Sequence, residues 1–107
     1  MMRTRLFLLT LGTSLIASPA LFGAGDAEKG KEAFGQCAMC HNVDKPDKKM
    51  GPSLMGLYKK DKMANGKAVS DENVMAVINE GGSGMPAYKD ILSDEERADV
   101  LAYVKTL

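Results

Sequence analysis

Residues 37–41 read Cys37-Ala38-Met39-Cys40-His41 (CAMCH), and this stretch holds both cysteines and the only histidine of the 107-residue chain. All of the thiol and imidazole chemistry of the protein is therefore concentrated in five residues. Three kinds of structure can use such a concentration: a disulfide, a metal site and a covalently attached haem. The choice matters for the fold, because a chain this small builds only a modest core of its own.

The disulfide, redox and zinc alternatives each need something that the sequence does not offer. A bond between cysteines three positions apart closes a very small loop and stabilises little, and a thioredoxin-like pair needs strands in a βαβ pattern. Structural zinc needs four ligands, whereas Cys37, Cys40 and His41 supply three. The C-x-x-C-H spacing is instead the attachment signal for c-type haem. It predicts thioether bonds at Cys37 and Cys40 and an axial imidazole at His41.

Residues 1–24 have the features of a secretory signal peptide. Two arginines precede an apolar run, Leu6–Ile16, and small residues follow, which places cleavage near Ala20 to Ala24. We therefore expect export to the periplasm or an equivalent space, with residues 25–107 forming a single domain. The alternative is an uncleaved membrane anchor, for which the apolar run is short, since a spanning helix needs about 20 apolar residues.

Hydrophobic periodicity and capping residues predict short helices and no strands. Ser70 is the expected N-cap of one helix, and Ser93 with Glu96 forms a capping box for the last one. Two segments, His41–Gly51 and Gly81–Ala87, are expected to be loops. The predicted helices cover residues 26–36, 53–60, 71–80 and 94–106.

From about Gly25 to Leu107 the chain resembles a class I c-type cytochrome. The matching stretches are GDAEKGKEAFGQCAMCH (25–41), MGPSLMGL (50–57), GSGMPAY (82–88) and LSDEERADVLAYVKTL (92–107). The resemblance implies an all-α domain of three to five short helices wrapped around one covalent haem c, with histidine and methionine as axial ligands of the iron. It also implies a monomeric one-electron carrier rather than an enzyme, which exchanges electrons with a redox protein donor and acceptor.

The resemblance places Met85 at the sixth position of the iron, opposite His41, because GMPAY matches the ligand loop of the family. Met85 also lies directly before a proline in a glycine-rich segment, where helical packing does not explain a methionine. Met50 and Met63 remain the alternatives. By the same resemblance, the backbone carbonyl of Pro52 accepts a hydrogen bond from Nδ1 of His41 and leaves Nε2 for iron.

Further residues resemble structural positions of the family. Gly30, Phe34 and Tyr103 match the packing contact between the first and last helices, and Gly30 would let these helices approach closely. Tyr58 and Tyr88 are candidates for hydrogen bonds to a haem propionate, with core packing as the equal alternative. Two methionines are interpreted as core residues: Met55 and Met75.

Charge is distributed unevenly along the chain. Residues 44–67 contain seven lysines and three aspartates, a net charge of +4, whereas residues 68–107 contain three basic and eight acidic residues, a net charge of −5. No nucleic-acid-binding motif is present and the overall balance is not basic, so nucleic acid is not an expected partner. Contact with a membrane is expected only through redox partners or an uncleaved N-terminal segment. Candidates for a protein docking surface, or simply for a solvated loop, are Lys45, Lys48, Lys49, Lys59, Lys60 and Lys62.

Two other functions use the same attachment chemistry. A haem c subunit serving a specific dehydrogenase or oxidase complex would differ from a free carrier only in its partners. A haem sensor or peroxidase would need a labile sixth ligand. Met85 argues against the second alternative, because a filled sixth position leaves no coordination site for a substrate.

Overall fold

The structure is a computed structural model that describes residues 25–107, so the predicted signal peptide, residues 1–24, lies outside the described residues. The described part of the chain is helical, and its only β-type pairings are two isolated bridges. This confirms the all-α prediction. Its α-helices are α1 (Ala27–Ala33), α2 (Asp71–Glu80) and α3 (Asp94–Val104), and its 3₁₀ helices are Phe34–Met39, Leu57–Lys59 and Tyr88–Asp90.

The first predicted helix is shorter than its sequence pattern indicates. Asp26 caps it, accepting hydrogen bonds from the backbone of Glu28 at 2.9 Å and Lys29 at 3.3 Å. The α-helix ends at Ala33, and the chain continues as the 3₁₀ helix Phe34–Met39. Glycine at position 35 weakens an α-helix. The 3₁₀ helix that follows contains Cys37, and Cys40 caps its C-terminal end.

Helices α1 and α3 pack closely because Gly30 has no side chain. A Cβ at Gly30 would meet the backbone carbonyl of Asp99 and would lie 2.9 Å from Cβ of Tyr103. One turn later, the rings of Phe34 and Tyr103 pack with centroids 5.2 Å apart and a tilt of 60°. The predicted contact between the first and last helices is therefore confirmed.

The caps of the other two α-helices also agree with the sequence. The side chain of Ser70 accepts a hydrogen bond from Asn73 N, and α2 ends where Gly81 adopts a positive φ of 62°. Ser93 and Glu96 form the reciprocal capping box of α3. This last helix ends at Val104 rather than near residue 106, because the chain closes in a turn on the carbonyl of Tyr103.

The helix predicted over residues 53–60 is wrong. Only Leu57–Lys59 is helical, as one 3₁₀ turn. Ser53 turns its hydroxyl onto the backbone, accepting from Met55 N at 3.2 Å and donating to the carbonyl of Lys45 at 2.5 Å. Gly56 then adopts a left-handed φ of 65°. Both features are incompatible with a continuous α-helix.

One hydrophobic core joins the three α-helices to the segments between them. Two charged residues of α3, Arg97 and Asp99, are buried beside it, which the sequence pattern did not indicate. Each helix within residues 25–107 is too short or too polar to cross a bilayer. The buried apolar residues are Phe34, Cys37, Leu57, Val74, Ile78, Tyr88, Leu92, Val100 and Val104.

Candidate functional site

The attachment stretch leaves its 3₁₀ helix in a tight turn. The backbone N–H groups of Cys40 and His41 both donate to the carbonyl of Cys37 at 3.0 Å. Cys37 is buried in the core, Cys40 is half-buried, and the two are not joined by a disulfide. The turn therefore places two thiols and one imidazole within a single short stretch of backbone.

The imidazole of His41 is held by the neighbouring loop. Its Nδ1 lies 2.7 Å from the backbone carbonyl oxygen of Pro52. A carbonyl oxygen can only accept, so Nδ1 carries the proton and donates it to this bond, which leaves the lone pair on Nε2. The contact expected from the family resemblance is present in the structure.

Gly51 forms the seat beneath this ring, a role that the sequence reading missed. A Cβ at this position would lie 2.6 Å from Cε1 and 2.9 Å from Nδ1 of His41. The Gly51 N–H donates to the carbonyl of Cys40 at 2.7 Å, which holds the seat against the attachment stretch. The signal available in the sequence was only the glycine directly before Pro52.

The loop between the histidine and Gly51 is braced by Asn42, a second residue that the sequence reading missed. Asn42 is buried. Its side-chain amide donates to the backbone carbonyl of Asp47 at 2.8 Å. Its backbone carbonyl accepts a hydrogen bond from Leu54 N at 2.9 Å. These bonds satisfy the buried polar groups of the loop and fix its path beside the site.

Met85 lies at the end of a closed glycine-rich turn. Gly82 N–H donates to the Met85 carbonyl at 2.9 Å, and Met85 N–H donates back to the Gly82 carbonyl at 3.0 Å. The two residues between them, Ser83 and Gly84, have φ values of 52° and 92°, the geometry of a two-residue turn of the primed type. The Met85 side chain is half-buried and packs against the core.

Tyr88, three residues after Met85, connects this segment to the attachment stretch. Tyr88 is buried and belongs to the same core cluster as Cys37. Burial raises the pKa of the Cys37 thiol. Burial is also the main reason why the pKa of Tyr88 is raised. Tyr88 therefore packs in the core together with the first cysteine.

The other tyrosine considered for a propionate bonds to a carboxylate of α2. The Tyr58 hydroxyl donates to Oδ1 of Asp71 at 2.8 Å, and Lys105 Nζ donates to Oδ2 of the same carboxylate at 3.0 Å. Burial and the bond to Asp71 raise the pKa of Tyr58. Tyr58 therefore joins the middle 3₁₀ turn to the first turn of α2 and the end of α3.

The remaining methionines occupy different environments. Met50 is 83% exposed, with its sulfur 4.0 Å from Cys40 Sγ. Met63 and Met75 are half-buried and pack against the core. Met55 is 38% exposed, so its interpretation as a core residue is wrong, because the segment lacks the helix whose inward face would have buried it.

The lysines considered for docking are all exposed. One of them is tied to the attachment stretch, since Lys49 Nζ donates to the carbonyl of Ala38 at 3.1 Å. Part of the basic surface therefore adjoins the cysteines and the histidine.

These residues fit one covalently attached haem by the chemistry of their donors. Two cysteines three positions apart can form two thioethers, the adjacent imidazole offers Nε2, and the glycine at position 51 leaves room for the imidazole ring. The helical fold and this site define a small class I c-type cytochrome.

Comparison with known proteins gives the same class. The family described as "Cytochrome c" matches residues 27–107, and the chain belongs to that family. It is thus an electron-carrier cytochrome with one covalently attached haem c and its iron.

Individual relatives cover most of the described chain. The chain is similar to cytochrome c6 of Rippkaea orientalis, with 38% identity over 84% of this chain and 77% of the relative. It is also similar to cytochrome c2 of Rhodomicrobium vannielii, with 29% identity over 90% of both chains. The solved structure of cytochrome c6 from the diatom Phaeodactylum tricornutum superposes with a TM-score of 0.60, at 30% identity over 77% of this chain and 93% of that one.

Proposed function

We propose that the chain is an exported one-electron carrier whose haem c is bound through thioethers at Cys37 and Cys40, with His41 and Met85 as the axial ligands. The observation that carries the proposal is the 2.7 Å bond from His41 Nδ1 to the Pro52 carbonyl. This bond fixes the ring orientation and the tautomer, and it leaves Nε2 as the nitrogen for iron. When bound, the haem supplies a one-electron Fe(III)/Fe(II) couple.

Met85 is the proposed sixth ligand because hydrogen bonds within its own loop already fix the position of its backbone. The closed turn at Gly82 holds the methionine at the edge of the core, with a flexible thioether side chain. A thioether favours the ferrous state relative to a nitrogen donor and so raises the reduction potential. With both axial positions filled, the protein has no open coordination position for a substrate, so we propose that it carries electrons and is not an enzyme.

We propose that residues 1–24 are a signal peptide that is removed on export, and that residues 25–107 form a single cytochrome c domain. The position of Gly25 and Asp26 supports this boundary. Asp26 N–H donates to the Asp99 carboxylate at 2.7 Å, and Gly25 packs against the backbone of α3. The two residues directly after the proposed cleavage region thus pack against α3.

The proposed partners are a redox protein donor and acceptor that meet the monomer at its lysine-rich surface. Lys49 supports this choice, because it joins that surface to the attachment stretch. Attraction to acidic partner surfaces would raise the association rate and weaken as salt increases. Replacing Lys49 with glutamate should therefore slow reduction by an acidic partner, whereas the same change at Lys89, outside the lysine-rich segment, should have a smaller effect.

One preparation tests the central proposal. The intact mass of the exported protein should equal residues from the cleavage site onward plus one haem, and the ferric spectrum should show the weak long-wavelength band of thioether ligation. Met85→Ala should abolish this band and open the ferrous iron to carbon monoxide, while Met63→Ala should leave both properties unchanged. A wild-type protein that lacks the band and binds carbon monoxide readily would contradict the proposal.

A further inference from the structure

The guanidinium of Arg97 is the charged group that the proposed chemistry leaves unexplained. Arg97 lies in α3, and only 8% of its surface is exposed. Its Nε donates to the backbone carbonyl of Leu92 at 3.3 Å. Its two terminal nitrogens donate to Oδ1 of Asn79 and to Oδ1 of Asp94. A buried cation requires such partners, since an uncompensated one is strongly destabilising.

Residues 81–91 carry Met85 and are called the Met85 segment. Two of the three partners of Arg97 flank this segment. Asn79 lies in the last turn of α2, before the segment begins, and Leu92 lies directly before the cap of α3, after the segment ends. Asp94 is in α3 itself and neutralises the charge without touching the segment. The guanidinium of Arg97 therefore connects the residues at the two ends of the Met85 segment.

We propose that Arg97 is a positioning residue that clamps both ends of the Met85 segment and so opposes the release of Met85 from the iron. This inference rests on the proposed function, because it takes Met85 as the sixth ligand. The guanidinium is planar and presents its donors in a rigid fork. It can therefore hold a side-chain amide and a backbone carbonyl at a set separation, which a lysine ammonium does not reproduce.

The segment needs an external clamp because its own sequence is permissive. Gly81, Gly82 and Gly84 all have positive φ, and glycine loses more conformational freedom on ordering than any other residue. The internal bonds between Gly82 and Met85 close only the tip of the loop. Arg97 holds the two ends of the segment, so the two sets of contacts constrain different parts of it.

The test compares two substitutions in α2 of the haem-loaded protein. Asn79→Ala removes one partner of the clamp. Asp71→Asn, at the opposite end of the helix, removes an ionic contact to Lys105 and serves as the matched control. Asn79→Asp keeps an acceptor for Arg97 and should restore wild-type behaviour. Arg97→Lys should resemble Asn79→Ala.

Two readouts report on the segment itself. In Asn79→Ala, hydrogen exchange at the Met85 and Gly82 amides should accelerate about tenfold, and imidazole should bind the ferric iron about tenfold more tightly, as expected for the loss of one charge-assisted hydrogen bond. Exchange at Gly30 in α1 should not change. The Asp71→Asn control should leave the segment amides and the imidazole affinity near their wild-type values.

The outcomes separate the two proposals. If Met85→Ala abolishes the thioether band but Asn79→Ala behaves like Asp71→Asn, the clamp is overturned and the ligand assignment stands. If Asn79→Asp loosens the segment as much as Asn79→Ala, a bond to Arg97 is not the cause, and the clamp is again overturned. If Met85→Ala leaves the band intact, the ligand assignment fails together with everything that depends on it.

Discussion

Gly51→Ala should disturb the histidine of the site without changing any group that reacts. The added Cβ would lie 2.6 Å from Cε1 and 2.9 Å from Nδ1 of His41, whereas carbon atoms pack at about 3.5 Å or more. The ring or the loop must therefore move by about 1 Å. The ring cannot move freely, because its Nδ1 is bonded to the Pro52 carbonyl at 2.7 Å.

The expected cost combines two effects. Overpacking of this kind costs about 1–3 kcal/mol, and weakening the His41–Pro52 hydrogen bond costs about 0.5–1.5 kcal/mol. We therefore expect Gly51→Ala to lower the free energy of unfolding by about 2–4 kcal/mol. The matched control is Gly35→Ala, since a Cβ at Gly35 has no atom within 4 Å; its effect should stay within about 0.5 kcal/mol.

The assay is guanidinium chloride unfolding of the haem-loaded protein, followed by circular dichroism, with NMR observation of the His41 Nδ1 proton. In Gly51→Ala this proton should exchange faster with solvent, because its bond to Pro52 is lengthened. The reasoning is refuted if Gly51→Ala and Gly35→Ala differ by less than about 1 kcal/mol and the proton stays protected. The ring would then tolerate a methyl group that the geometry excludes.

Three further predictions concern the frame around the site. Gly30→Ala forces a methyl group onto the Asp99 carbonyl and should cost about 3 kcal/mol or prevent folding, as measured by urea unfolding. Ser93→Ala breaks the capping box of α3 and should cost about 1 kcal/mol, with a matching fall in the thermal midpoint. The hydrogen bonds from Tyr58 and Lys105 lower the pKa of Asp71, so this carboxylate stabilises the fold above about pH 4 and ceases to do so as the pH falls through its lowered pKa. Asp71→Asn should therefore destabilise the protein at pH 7 but approach wild-type stability as the pH falls through the lowered pKa of Asp71, and a difference that stays constant with pH would contradict the assignment.

Local signals in the sequence predicted the elements that depend on neighbouring residues. The caps at Ser70 and Ser93 depend on backbone groups within one helical turn, and both are present. The role of Gly30 was predicted from the resemblance to the family, which pairs it with Phe34 and Tyr103, and the structure confirms it. The failures were the end of the first helix and the helix predicted over residues 53–60, where Gly35 and Gly56 allow the backbone to leave the α conformation.

The sequence by itself was enough to predict the attachment chemistry, because the spacing of Cys37, Cys40 and His41 is a local property that needs no fold to be recognised. Only the tertiary structure decided what surrounds that chemistry. The seat formed by Gly51 and the clamp formed by Arg97 join residues far apart in the chain. Such contacts depend on the path of the backbone and on which charges become buried, and these follow from the packing of the whole domain rather than from any short stretch of it.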